Sequence, residues 1–231
     1  EPGKQVVRVV PYKHNKDNPF IELFFHYNLG NNKTYLSPMS FGRPDPVAEF
    51  ADKLKSTGNK DEWIQGKRLE PKMRTFAPVI VRGQESEGVK FWGFGKTVYQ
   101  ELLGFITDPD YGDITDPSGG RDIVVEFTPA DGPGQYPKTS IRVKPNVTVM
   151  TEDKNIAERI AKQQPDLSVI FKEPSYDDLK AALETYLNPE GETETETTTE
   201  TVTKQATPEP APAGVNKVDD VSAAFDELFN D

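Results

Sequence analysis

Residues 74–106 read RTFAPVIVRGQESEGVKFWGFGKTVYQELLGFI. An alternating run over Arg74–Arg82 meets the turn-rich GQESEG. A second β-type run, Val89–Phe94, follows, and then a helical pattern over Lys96–Ile106. The same grammar continues outward on both sides. Upstream lie Gln5–Val10 and Phe20–Tyr27; downstream lie Asp122–Phe127 and Thr139–Lys144. Segments rich in Gly, Pro, Asn and Asp separate these runs, among them KHNKDNP, NLGNNK, DPDYGDITDPSGG and PADGPGQYP. Further helices are predicted over Pro46–Ser56, Glu152–Gln163 and Tyr176–Leu187. Asp45 before Pro46 has the cap-then-proline order of a helix start, and Ser175 with Asp178 has capping-box spacing. Five or six short strands, with a helix inserted between Phe94 and Asp122, predict a mainly β protein with α insertions. Its core is expected to be a small closed barrel of the OB type.

Alternation also divides each strand between two faces. In Arg74–Arg82, the residues Thr75, Ala77, Val79 and Val81 form a core-like face, leaving Arg74, Phe76, Pro78, Ile80 and Arg82 on the other. Lys90, Trp92 and Phe94 share one face of the next run, and Ser140, Arg142 and Lys144 point away from Thr139, Ile141 and Val143. Cations interleaved with aromatics suit single-stranded nucleic acid. Each stacked base contributes about 1–3 kcal/mol, and Arg and Lys neutralise the phosphates between. Residues 53–96 carry ten Lys and Arg against five acids, in a chain whose net charge is −11. Candidate nucleic-acid-binding residues are therefore Arg74, Phe76, Arg82, Lys90, Trp92, Phe94, Arg142 and Lys144, with Lys4, Arg8, Lys13 and Lys16 lining the same groove. Loss of affinity in Trp92→Ala is the expected mark of that platform. The plainer reading makes Trp92 and Phe94 core residues and the charges a solvated face.

Other chemistries are weaker. The chain has no Cys, which excludes disulfides, a thiol nucleophile and a cysteine-rich zinc site. Asp108, Asp110, Asp113 and Asp116 lack the Gly and terminal Glu of an EF-hand loop and read as a polar turn. His14 and His26 belong to no recognisable triad, so no enzyme is expected. Gly93 reads as a bulge or a close backbone approach. No run approaches the roughly 18 apolar residues of a membrane span, and Glu1-Pro-Gly-Lys is not a signal peptide. A cytoplasmic protein without cofactor or membrane contact is expected.

The C-terminal part has a different composition. Residues 190–231 hold eleven acids against Lys204 and Lys217, which is −9 of the total −11. A polyanionic tail on a nearly neutral body is common where a nucleic-acid binder needs a competitor or a handle. Thr, Glu, Pro and Ala dominate residues 190–218, which predicts a disordered linker. Apolar residues then return: Val218, Val221, Phe225, Leu228 and Phe229 fall near one side of a helix, ringed by acids. Residues 219–231 thus read as a partner-docking segment, with Asp219, Asp220, Phe225, Asp226, Leu228 and Phe229 as its candidate contacts. The alternative is a solubilising tail whose few apolar residues pack on the parent domain.

The segments VVPYKHN, FIELFFHYNLGNNKTYLSP, FGRPDPVAEF, RTFAPVIVRG, EGVKFWGFGK and YGDITDPSGG together resemble the single-stranded-DNA-binding, helix-destabilising proteins of T-even-like bacteriophages, particularly marine members. The resemblance covers roughly residues 5–150 and continues in the acidic tail. It implies an OB-fold core over residues 1–189, with a helical subdomain near 38–70 and a helical C-terminal part over 151–189. It also implies cooperative coating of single-stranded DNA in replication, recombination and repair, in the cytoplasm of the infected bacterial host. The family's cleft residues fall around Lys72–Phe76 and Lys90–Lys96, which adds Lys72 and Lys96 to the candidates. The acidic tail would recruit replication and recombination proteins (polymerase, helicase loader, recombination mediator) and compete with DNA, and self-association along DNA would accompany binding. Two departures stand out. Family members hold a structural zinc through one His and three Cys. Here His26 is followed by Ser37, Asp45 and Ala48, so a metal-independent subdomain is expected, packed through Phe41, Val47, Phe50, Leu54 and Trp63. The family's short basic N-terminal arm is not recognisable before Gln5. The rival readings are an acidic-tailed adaptor that binds only proteins and a sequence-specific RNA binder. Binding to oligo(dT) separates both from the first.

Overall fold

Strand β4 (Lys72–Val81) organises the sheet. One of its edges serves two partners in succession: Ile21–Phe25 of β2 (Ile21–Leu29) along its first half, then Val7–Val9 of β1 (Gly3–Val9) along its second. The opposite edge carries β5 (Lys90–Phe94). Pro78 stands where the two partners of the shared edge meet. Its carbonyl accepts from the Val10 amide at 3.0 Å. In a strand the N–H and C=O of one residue point to the same edge, so the donor that proline lacks falls in the gap between β2 and β1. Outward from β1 follow β6 (Arg121–Thr128) and β7 (Lys138–Val147), and β3 (Lys33–Leu36) pairs with β2.

The computed structural model describes residues 3–15, 17–132, 134–188 and 219–229. Its order β3-β2-β4-β1-β6-β7, with β5 on the far edge of β4, has two ends and does not return on itself. The expected closed OB barrel is therefore corrected to a mixed α/β fold built on an open seven-stranded sheet. Alternation finds strands, but closure depends on which distant strands pair, and periodicity carries no information about that. The helices are α1 (Pro46–Ser56), α2 (Lys60–Leu69), α3 (Lys96–Thr107), α4 (Lys154–Lys162), the short α5 (Leu167–Ile170), α6 (Tyr176–Leu187) and α7 (Asp219–Phe229). The expected linker over 190–218 lies outside the described residues.

Packing divides the chain into two units: residues 1–25 with 72–173, and residues 26–71 with 174–231. In the first, α3 lies against β4 and β7 over a core of Val7, Val9, Ala77, Val79, Phe94, Leu102, Ile123 and Val143. A smaller cluster, Val10, Ile80, Met150 and Ile160, covers the opposite face of β4 beneath α4. Polar residues brace this unit. Arg8, fully buried, reaches Asp122 at 3.2 Å, the carbonyls of Asp116 and Thr148, and the Thr148 hydroxyl. Arg82 meets the same Asp122 oxygen at 2.8 Å and donates to the Met150 carbonyl at 2.6 Å. Burial pulls the Arg8 guanidinium below its ordinary value, opposed by the Asp122 charge.

The second unit is helical. Asp45 caps α1 by accepting from the amides of Val47 and Ala48, at 2.9 and 3.1 Å, and Ser175 with Asp178 closes a capping box on α6. Val47, Phe50 and Leu54 are buried as expected, together with Leu29, Leu179 and Leu183. Two of the expected packing residues are not core. Trp63 is 47% exposed, with the Lys67 ammonium 5.6 Å from its ring centroid, and Phe41 is half-buried beside Arg43. Helix α2 has no counterpart in the sequence reading. A glycine in mid-helix weakens its pattern, yet a Cβ at Gly66 would stand 2.6 Å from the Ala51 carbonyl, so the α1–α2 crossing requires it.

Candidate nucleic-acid interface

Register, not alternation, decides which candidates share a surface. Phe76 pairs with Gly93, Ala77 with Trp92 and Thr75 with Phe94. Paired residues point to the same side of a sheet, so Trp92, Phe94 and Lys90 join Ala77 and Val79 on the core side. Arg74 and Phe76 lie on the other. The platform expected from sequence is thus split between two faces of the β4–β5 pair. Phe94 is 3% exposed, a core residue with no free ring face, and Trp92 packs on it at 4.5 Å between centroids. Arg8 is likewise buried rather than lining a groove, and Lys16 lies outside the described residues.

The cations sort in the same way. Arg82 belongs to the Asp122 brace, and Lys90 is paired with Glu87 at 2.7 Å. Lys4 is an exposed partner of Glu126 at 3.4 Å. The side chains of Lys72, Arg74, Lys96, Arg142 and Lys144 make no hydrogen bond or ion pair among the described residues. Lys96 opens α3, where the helix dipole disfavours a cation, so local stability does not account for it. Arg142 pairs with Val124, which pairs with Val6, and the Val6 carbonyl accepts from the Arg82 amide. Arg142 therefore shares the face of Arg74 but sits level with Arg82, eight residues along β4. At about 3.3 Å per residue that is roughly 26 Å along the strand direction, with three strand spacings across the sheet in addition. Between them the face is covered by the cluster containing Ile80.

One end of that face holds both cations and rings. Around Phe76, the Phe171 centroid lies at 5.5 Å and that of Phe25 at 6.1 Å, with Phe25 and Phe171 5.1 Å apart. Phe76 and Phe171 are half-buried and Phe25 is buried. Gly93 is the close approach foreseen in the sequence, since a Cβ there would meet Phe76 Cε1 at 2.8 Å. Phe91 projects to the same side, 5.9 Å from Tyr12, whose ring neighbours His14. Exposed Lys72 and Lys172 and half-buried Arg74 flank the rings. Sequence reasoning missed Phe171 and Phe91. Phe171 follows a four-residue helix with no periodicity to announce it, and Phe91 lies on the face opposite Trp92, away from the expected platform.

Residues 1–188 match the family described as gp32 DNA binding protein like. The chain belongs to that family. Two curated relatives of this gp32-like chain are the single-stranded DNA-binding proteins of Enterobacteria phages T4 and T2. Each is 26% identical over 185 residues, covering 72% of this chain and 59% of the relative, so the chain spans well under two thirds of their length. The relationship is distant. The family is one of DNA-binding proteins, in keeping with the reading that the chain is not an enzyme. No helix among the described residues is long and apolar enough to cross a membrane.

The structural zinc implied by the gp32 resemblance does not fit the residues present. His26 Nε2 lies 2.9 Å from Asp45 Oδ2, His26 Nδ1 lies 2.9 Å from the Leu69 carbonyl, and Ser37 donates to the same Asp45 oxygen. The two ring nitrogens thus face Asp45 on one side and the Leu69 carbonyl on the other, so neither is directed at a metal. Asp45 also caps α1, which leaves its oxygens committed. Burial pushes the Asp45 carboxyl up, but hydrogen bonds from His26, Ser37 and the Ala48 amide outweigh it and hold the group below the usual carboxylate range. Among the described residues no three His, Cys, Asp or Glu side chains are grouped to hold a metal.

Proposed function

We propose that this gp32-like chain binds single-stranded DNA across the first half of β4. Lys72 and Arg74 would contact phosphates there, and Phe76, beside Phe171 and Phe91, would offer ring surface to bases. The observation that carries the reading is the coincidence, at one end of one sheet face, of unpaired cations and half-exposed rings in a member of a DNA-binding family. Arg142 and Lys144 supply a second basic group about 26 Å along the same face, which a bound strand would reach after passing the covered centre. The two relatives, both single-stranded DNA-binding proteins, support single-stranded DNA as the ligand. On this reading the protein coats DNA during phage replication, recombination and repair in the infected bacterial cell. Its tail, carrying −9, recruits replication proteins and competes with DNA for the cationic face.

Titration of fluorescent oligo(dT) across a salt series tests the site. Phe76→Ala should weaken binding by about 1–3 kcal/mol, roughly 5- to 150-fold, with the salt slope unchanged. Arg74→Ala should lower the log–log salt slope by about 0.7, the contribution of one phosphate on a single strand. Lys90→Ala, whose ammonium is held by Glu87, should change little. Wild-type affinity in Phe76→Ala, with large losses in Trp92→Ala, would move the site to the other face. Absence of oligo(dT) binding by the unaltered chain would favour the protein-binding adaptor.

A further inference from the structure

Helix α7 packs on its own unit rather than standing free. Its Val221 and Phe225 are buried against α1 and α6, in the cluster containing Phe50, Leu54, Leu179 and Leu183. Phe225 meets Phe50 edge-on at 5.8 Å, and Phe229 lies 6.5 Å from Tyr176. Cations flank this groove. Lys53 pairs with Glu227 at 2.8 Å. Lys180 stands 5.2 Å from the Phe229 ring centroid and donates to the Phe229 carbonyl at 3.1 Å, satisfying a terminal acceptor of α7. Leu228 and Asp226 remain on the exposed side. Aromatic anchors between two lysines match the composition of α7, whose residues are all apolar or acidic except Ser222.

We propose that the α1–α6 groove is a receptor for an acidic, aromatic-anchored helix, and that α7 of the same chain is its resident ligand. Thirty residues join Asn188 to Asp219, and a ligand tethered in this way works at an effective concentration of millimolar order. Even weak intrinsic docking then keeps the groove filled. A consequence rests on the reading of the tail as a partner hook. Docking withholds Val221 and Phe225 from any protein that would grip them, so recruitment requires release, and a partner's apparent affinity falls by the fraction of chains that are docked.

Carbodiimide coupling joins amines to carboxylates already in contact and needs no substitution. Treating a mixture of ¹⁴N and ¹⁵N full-length chains, then mapping peptides by mass spectrometry, should give a Lys53–Glu227 amide within single chains. Lys55–Glu70, paired at 2.6 Å in the same unit, is the internal reference. Reference coupling without Lys53–Glu227 coupling would overturn docking, and coupling mainly between isotopically different chains would overturn its intramolecular form. A labelled peptide of residues 218–231 should bind the full-length V221A/F225A chain at least about tenfold more tightly than the wild type. Equal binding to both would overturn the masking of the groove. Neither arm contains DNA or a replication protein, so failure here is separable from failure of the recruiting role.

Discussion

Asp45→Ala should lower the unfolding free energy by about 2–5 kcal/mol, from a lost helix cap together with a buried ring left without one of its partners. Two losses combine in that figure. The α1 amides of Val47 and Ala48 lose their cap, which alone costs about 0.5–2 kcal/mol. The larger loss is at His26, whose ring is 2% exposed and would keep the Leu69 carbonyl as its only acceptor among these partners. Asp45→Asn separates the two losses, because an amide oxygen can still cap α1 while an NH2 group takes the place of the oxygen that meets His26 and Ser37. Its midpoint in urea should fall between those of the wild type and the alanine variant. Chelators should leave all three unfolding curves where they are, since the pin is made of hydrogen bonds. A loss below about 1 kcal/mol in Asp45→Ala would mean that the pair contributes no more than a surface one.

The local rules were legible where one residue type and one spacing suffice. Asp45 before Pro46 marked the start of α1, Ser175 with Asp178 marked α6, and the absence of Cys at Ser37 and Asp45 foretold a centre without zinc ligands. Pairing between strands was not legible. Alternation correctly put Trp92 with Phe94 on one face of their strand, and Arg74 with Phe76 on one face of theirs. Which faces coincided across strands depended on Phe76 meeting Gly93, a register that neither strand encodes alone. The same ignorance produced the expected barrel. Arg8 and Arg82 were misjudged for a related reason. A cation on an outward-facing position reads as solvated until a distant loop, here Thr148 to Met150, folds over it.

That brace makes Asp122→Asn the second large effect, expected to lower the unfolding free energy at pH 7 by about 3–5 kcal/mol. The amide keeps the size of the carboxylate and can still accept from one guanidinium. What it removes is the negative charge between two positive ones, and Arg82 already acts on Arg8 as a neighbouring like charge. Arg8 is fully buried and cannot turn to water, whereas Arg82 is 20% exposed and can partly escape. The unfavourable charge therefore stays on Arg8. The variant also carries a pH signature. Burial raises the Asp122 carboxyl, but hydrogen bonding and charge from Arg82, with the charge of Arg8, outweigh it and hold the group below its ordinary 3.8. With the folded value below the unfolded one, the unfolded chain binds the proton first as pH falls. The stabilisation is complete above about pH 4 and is lost as pH drops through the folded value. Over that window the wild type should lose stability more steeply than Asp122→Asn, by up to about 1.4 kcal/mol per pH unit, one proton's worth. Urea midpoints at pH 7, 4 and 3 for both chains would show the two curves converging as the acid limb is entered. Parallel curves would mean that Asp122 is not the group being titrated, and the brace would then owe its strength to the Thr148 and Met150 carbonyls instead.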